Sequence, residues 1–73
     1  MSQMTQQEAA ELSRIDARIL QSELNVTRQQ ARVDTLERAG NNSPLSRSVL
    51  KNFRASLALQ YSYRARALRQ LRR

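Results

Sequence analysis

The sequence predicts an all-α protein of two long antiparallel helices, a helical hairpin of the coiled-coil kind. Three observations predict it: the only glycine and the only proline lie four residues apart, a long amphipathic pattern precedes them, and another follows. Glycine commonly ends a helix and proline commonly begins one, so the pair marks a single turn. We predict one domain, 1–73, with helices over 6–39 and 44–73 and a turn at 40–43.

Three residues of the turn have separate predicted roles. Gly40 can adopt the left-handed backbone conformation that ends a helix. Ser43 can cap the second helix with its side-chain oxygen, and Pro44 suits a first helical position, where no backbone N–H is needed. Residues 1–5 are expected to form a tail. Two helices of matched length joined by so short a turn are expected to pack against each other.

Both helices carry an apolar stripe at heptad spacing, which predicts how they pack. Spacings that alternate between three and four residues keep side chains on one face of a helix. The predicted packing seam consists of Leu12, Ile15, Ile19, Val26, Val33 and Leu36 in the first helix and Leu50, Phe53, Leu57, Tyr61, Leu68 and Leu71 in the second. Ser22, Gln29 and Arg64 interrupt it, either as tolerated polar positions or as residues that set the register.

Folding the chain about this turn predicts which residues face each other. With the turn centred near residue 43, residues whose numbers add to about 86 lie opposite one another in an antiparallel pair. This rule places Glu23 near Arg64 and Asp16 near Arg69. Some of the basic residues of the second helix are therefore expected to fix the pairing.

The first helix also has a second apolar stripe, which predicts a further neighbour. Its members are Ala17, Leu20, Leu24 and Ala31. A two-helix chain of 73 residues has a small core, and a helix that is apolar on more than one face packs against more than one helix. We expect a homodimer that forms a four-helix bundle.

Charge is divided unequally between the two halves. Residues 1–39 contain five basic and six acidic residues, a net charge of −1, whereas the part after the turn has eight basic residues and no acid, a net charge of +8. Such asymmetry predicts an anionic partner, or one helix that neutralises the other.

The most basic stretch is the C-terminal end of the second helix. Candidate contacts to an anion or a nucleic acid are Tyr63, Arg64, Arg66, Arg69, Arg72 and Arg73. Guanidinium groups bind phosphate bidentately, and tyrosine rings stack on bases. The alternative is a solvated face, because cations also favour the C-terminal end of a helix.

Composition argues against catalysis. The chain has no cysteine and no histidine, so it lacks thiolate nucleophiles, thiolate and imidazole metal ligands and the commonest general base. Residues 15–20, with Arg28 and Arg32, resemble the first helix of all-helical chorismate mutases. That family needs a lysine after this helix's apolar run, and the chain's one lysine is Lys51. We predict no enzyme, no metal and no cofactor.

The cellular location is predicted from the composition of the N-terminus and the length of the apolar runs. The first eight residues lack the basic and apolar regions of a signal peptide, and no apolar run approaches the ~20 residues of a membrane span. A cytoplasmic protein is expected.

These patterns predict a non-enzymatic adaptor or regulatory module that packs its helices against itself or another protein. Binding of DNA or RNA through the arginine-rich end is the alternative. A membrane surface is a third and weaker possibility, since the apolar face of the second helix is expected to be covered by the first.

Residues 28–30, Val33 and residues 36–40, followed by Leu50, Phe53, Leu57 and an arginine-rich end, resemble short, uncharacterised alphaproteobacterial proteins predicted to be helical hairpins. The resemblance spans roughly residues 15–71, although the turn sequence at 41–44 has no counterpart in that group. It implies the hairpin and a bacterial setting, and it implies no activity.

Overall fold

The computed structural model describes residues 4–71, which form two antiparallel helices. Helix α1 is Gln6–Arg38 and helix α2 is Pro44–Leu71. They pack side by side into a rod of 57 × 15 × 15 Å. The predicted helical hairpin is confirmed, and the beginnings of both helices are where the sequence predicts them.

Helix α1 begins with a capping box. The Thr5 hydroxyl accepts the Glu8 backbone N–H at 3.1 Å, and the Glu8 carboxylate accepts the Thr5 backbone N–H at 2.9 Å. The bond from the Thr5 N–H, followed by that with the Thr5 side chain, lowers the pKa of the Glu8 carboxyl. Thr5 is thus a helix cap, and the predicted tail is wrong at this residue because the Thr-x-x-Glu spacing was missed. Residues 1–3 lie outside the described part of the chain.

Helix α1 ends in a Schellman motif. Gly40 has a φ of 76°, the left-handed conformation predicted for it. Its N–H donates to the Glu37 carbonyl at 3.0 Å, and the N–H of Asn41 donates to the Leu36 carbonyl at 2.8 Å. These two bonds satisfy carbonyls that the end of a helix would otherwise leave without partners.

Two residues, Asn42 and Ser43, separate this motif from the first residue of helix α2. The Ser43 hydroxyl accepts the backbone N–H of Ser46 at 3.2 Å, and Pro44 is the first helical residue. Ser43 and Pro44 therefore have the capping and initiating positions that the sequence predicts. The chain reverses direction within five residues, which holds the two helices together from the turn onwards.

The interface between the helices is a heptad seam with a small interior. Ile19, Val33 and Leu50 are its buried apolar side chains, with exposed fractions of 7%, 6% and 6%. The half-buried seam positions are Leu12, Ile15, Ser22, Val26, Gln29 and Leu36 in α1 and Ser46, Phe53, Leu57, Gln60, Arg64, Ala67 and Leu71 in α2. Each helix therefore buries one narrow stripe and leaves its other faces in solvent.

The seam of α2 departs from the predicted one after Leu57. Gln60 and Ala67 are half-buried, whereas Tyr61 is 45% exposed. Leu68 is half-buried beside the seam. The prediction for Tyr61 is wrong because it followed apolar character, whereas the alternation of three and four residues leads to the polar Gln60.

Polar seam residues form hydrogen bonds between the helices. The Ser22 hydroxyl donates to the Gln60 side-chain carbonyl at 2.8 Å, and the Gln29 amide donates to the backbone carbonyl of Ser46 at 2.9 Å. Across residues 4–71, no buried side-chain nitrogen or oxygen lacks a partner. Sliding one helix along the other would break these bonds, so they favour a single register.

Candidate interaction surfaces

The helices meet along two long edges, one on each side of the seam, and the edges differ in charge. We call the first the paired edge. It consists of Asp16, Glu23, Gln30 and Glu37 of α1 and Arg47, Arg54, Tyr61 and Arg64 of α2. The four α1 residues are seven apart, so each occupies the same position in successive heptads.

Every α1 residue of the paired edge contacts α2. The contacts are Glu37 with Arg47 at 2.9 Å, Gln30 with Arg54, Glu23 with the Tyr61 hydroxyl at 2.6 Å, and Asp16 with Arg64 at 2.6 Å. The bond donated to Glu23 raises the pKa of the Tyr61 hydroxyl, because the neutral phenol is the form that donates. Both ion pairs are about half exposed, and such pairs each contribute only ~0–1 kcal/mol.

The paired edge corrects the predicted register. Glu23 was predicted to lie near Arg64 and Asp16 near Arg69, but Arg64 pairs with Asp16 and Glu23 with Tyr61. In three of the four contacts the residue numbers add to 84. The prediction was wrong because the turn is centred nearer residue 42 than residue 43.

We call the opposite side of the hairpin the basic edge. Arginines of α1 and apolar residues of α2 share it. Its arginines are Arg14, Arg18, Arg28 and Arg32 of α1, and α2 contributes Leu45, Leu59, Tyr63 and Arg66. One acid, Glu11, lies at the end distant from the turn, one heptad before Arg18. The arginines form two pairs with a spacing of four residues, which keeps each pair on one face of α1. Within the described residues, none of these four arginines forms a salt bridge.

Two grooves follow one another along the basic edge. The groove nearer the turn has a volume of about 480 Å³, and its lining includes Arg28, Arg32, Leu36 and Phe53. The second has a volume of about 180 Å³ and is lined by Ile15, Arg18, Ser56, Leu59, Gln60 and Tyr63. No acidic residue lines either groove, so both combine apolar surface with uncompensated positive charge.

The structure divides the predicted anion-binding cluster. Arg64 is half-buried and donates to Asp16, so it belongs to the paired edge. The exposed members are Tyr63, Arg66 and Arg69. Tyr63 and Arg66 lie on the basic edge, while Arg69 lies towards the outer face of α2. Arg72 and Arg73 are outside the described residues.

The outer face of α1 carries a second heptad stripe, which we call the outer seam. Its members are Ala10, Ser13, Ala17, Leu20, Leu24, Thr27 and Ala31. All seven are exposed and uncharged, and their spacing alternates strictly between three and four residues. Leu20 and Leu24, at its centre, are 59% and 40% exposed. Four of the seven were predicted as an apolar stripe. The other three were not predicted, because Ala, Ser and Thr are weak apolar signals.

Other kinds of site find little support over residues 4–71. That range holds no cluster of three or more acidic side chains able to bind a metal ion. Over the same range, neither helix combines the length and the apolar character needed to cross a membrane.

No protein-family model, curated protein or solved structure matches the chain. The alphaproteobacterial resemblance and the cytoplasmic setting therefore stay predictions. Function has to be inferred from the hairpin's own surfaces, the outer seam and the basic edge.

Proposed function

We propose that the chain is a non-enzymatic adaptor or regulatory module that works by helix packing, and that its first partner is a second copy of itself. The observation that supports this is the outer seam. Helix α1 is apolar at heptad spacing on two faces, and α2 covers only one of them. A helix with two such faces is typical of the interior of a helical bundle.

The balance of buried surface favours self-association. Over residues 4–71 the hairpin buries three apolar side chains within itself, and it leaves both central leucines of the outer seam exposed. Fully burying a leucine side chain contributes about 1.5–3 kcal/mol. Joining two outer seams would cover four leucines, and the small residues on either side would let the two α1 helices approach closely. The product is a four-helix assembly with α1 at its centre.

Charges beside the outer seam favour a parallel arrangement of the two α1 helices. In a parallel pair, Glu23 lies next to Arg28 of the second copy, five residues further along, and the contact occurs twice by symmetry. An antiparallel pair centred on Leu20 would instead bring Arg14 close to Arg28 and Asp16 close to Glu23. Like charges at these positions oppose pairing.

We expect the protein to sediment as a dimer at high concentration, with substitution of Leu20 and Leu24 by glutamine raising the dimer dissociation constant about a hundredfold or more. Leu45→Gln with Leu59→Gln is the matched control, because it removes two exposed leucines from the basic edge. Sedimentation equilibrium over a concentration series measures both variants, and circular dichroism checks that helicity is retained. A monomer at every concentration, or an equal effect of the two double variants, would contradict the proposal.

A single cysteine tests the orientation cleanly, since the chain has no cysteine of its own. Under mild oxidation we expect Ala17→Cys to form a disulfide-linked dimer, because a parallel pair places residue 17 against residue 17 of the second copy. Ala55→Cys, on the outer face of α2, is the control and should stay monomeric on a non-reducing gel. Efficient cross-linking of a mixture of Ala17→Cys and Leu24→Cys, with none for either alone, would show an antiparallel pair instead.

Nucleic-acid binding is the second candidate function, and the basic edge is the observation that favours it. Four arginines without acid partners attract phosphates, and the exposed ring of Tyr63 could stack on a base. The same edge also presents Leu45 and Leu59, at 75% and 53% exposure. Phosphate contacts make no use of exposed leucines, so helix packing remains the better supported function.

A further inference from the structure

We propose that the basic edge is a docking groove for an acidic amphipathic helix of a partner protein. We rest this assignment on the proposed interaction function and extend it to a surface that borders the outer seam at Arg28 and Ala31. A dimer formed through the outer seam would engage Arg28 and would leave Arg18, Leu59 and Tyr63 of each copy accessible.

The shape of the edge suits a helix. The two grooves lie in line along the hairpin, and each has an apolar floor, with Leu36 and Phe53 in one and Ile15 and Leu59 in the other. Arg14 and Arg32 are eighteen residues apart, a distance of roughly 27 Å along α1. A straight partner helix of about five turns would cover that length.

The charge of the edge specifies an acidic partner. On the paired edge, carboxylates at 16, 23 and 37 of α1 neutralise or bind side chains of α2. On the basic edge the corresponding α1 residues include Arg18 and Arg32, and α2 offers no acid in return. On the paired edge, α1 itself supplies the carboxylates that bind the basic side chains. On the basic edge, a partner helix with a leucine stripe and flanking glutamates would supply them from a second molecule.

A second copy of the chain does not fit this groove, because it would bring the same arginines against each other. A nucleic acid would satisfy the arginines but would leave the apolar floor and Leu59 in contact with water or with charged phosphate. An amphipathic helix matches both properties of the groove, which is why we assign that class of partner.

The test is the binding of a labelled synthetic peptide, followed by fluorescence anisotropy. The probe is a three-heptad amphipathic helix with leucine at the packing positions and glutamate beside them, and a second probe carries lysine in place of each glutamate. We expect the full-length protein to bind the glutamate peptide and not the lysine peptide. Arg18→Gln with Arg32→Gln should weaken binding of the glutamate peptide at least about tenfold, one power of ten in Kd.

The matched control is Arg47→Gln with Arg54→Gln, which lowers the net charge by the same amount on the paired edge. It should change the dissociation constant less than about twofold. Equal weakening by both double variants would show general attraction to a basic protein and would overturn the assignment. Circular dichroism of each variant confirms that helicity is intact.

Two further outcomes separate the alternatives. Tighter binding of labelled duplex DNA or single-stranded RNA than of the glutamate peptide, lost in the same basic-edge variant, would overturn the assignment in favour of nucleic acid. Dimerisation without peptide binding would refute the docking groove and leave the proposed self-association standing. Peptide binding by a protein that never dimerises would refute the proposed self-association and leave the docking groove standing.

Discussion

Replacing Leu50 by alanine is expected to lower the free energy of unfolding by about 2–5 kcal/mol. Leu50 is 6% exposed, and it lines the same part of the interface as Val33. Alanine is the better helix former by only a few tenths of a kcal/mol, far less than the lost burial. A core of this size supports a net stability of only a few kcal/mol, so the variant should be largely unfolded.

Leu45→Ala is the matched control for that experiment. It makes the same chemical change on the same helix, at a side chain that is 75% exposed, and surface changes of this kind usually stay within about 0.5 kcal/mol. Urea unfolding followed by circular dichroism, at equal protein concentrations, compares the two. An equal loss of stability in both variants would mean that Leu50 is not part of the core.

Replacing Ile19 by alanine is expected to lower the free energy of unfolding by a similar amount, about 2–5 kcal/mol. Among residues 4–71, Ile19 is the one buried apolar residue in the half of the hairpin distant from the turn, whereas Val33 and Leu50 lie near the turn. Without Ile19, that half would be held only by half-buried contacts. The loss should therefore appear as fraying of both chain ends, together with a lower melting temperature.

Gln21→Ala provides the reference for this second variant. Gln21 is exposed on the same turn of α1, and its side-chain amide donates to Asn25 in its own helix. Such a local pair contributes about 0.2–0.5 kcal/mol, which the higher helix propensity of alanine offsets. Thermal melts should thus leave Gln21→Ala near the parent protein. A parent-like melt for Ile19→Ala would show that the distant half does not depend on this contact.

The turn could be predicted from the sequence because its determinants are local. Gly40, Ser43 and Pro44 each act through the backbone of their immediate neighbours, and the structure finds each in its expected place. The capping box of Thr5 and Glu8 was equally local. Its sequence signature is the Thr-x-x-Glu spacing at residues 5 and 8.

The register could not be predicted to the residue, because it depends on contacts between distant parts of the chain. Ser22 and Gln60 are thirty-eight positions apart and find each other only when α2 has a particular rotation. An apolar pattern favours Tyr61 for the interior. The tyrosine can instead remain exposed, since its hydroxyl has a carboxylate partner in Glu23.

The basic edge could not be predicted as readily as the fold, because a dense run of charge in the sequence does not imply a dense patch of charge in the folded protein. The closely spaced arginines at the C-terminal end are spread over several faces of α2, and one of them, Arg64, forms an ion pair with Asp16. Four of the five arginines of α1 are scattered over nineteen residues of sequence and yet fall on one edge. The signal available in the sequence was the four-residue spacing within each arginine pair, in contrast to the spacings of seven and fourteen among Asp16, Glu23 and Glu37.

The sorting of charge between the two edges makes the hairpin a transverse dipole. In the sequence, positive charge is gathered in the second half of the chain. Folding places the halves side by side, and ion pairs then neutralise one long edge while the other keeps the surplus. The field of such a rod is strongest along its flank, so it exerts a torque on the approaching molecule. A negatively charged partner would meet the rod side-on, already aligned with the groove, before any side chain makes contact.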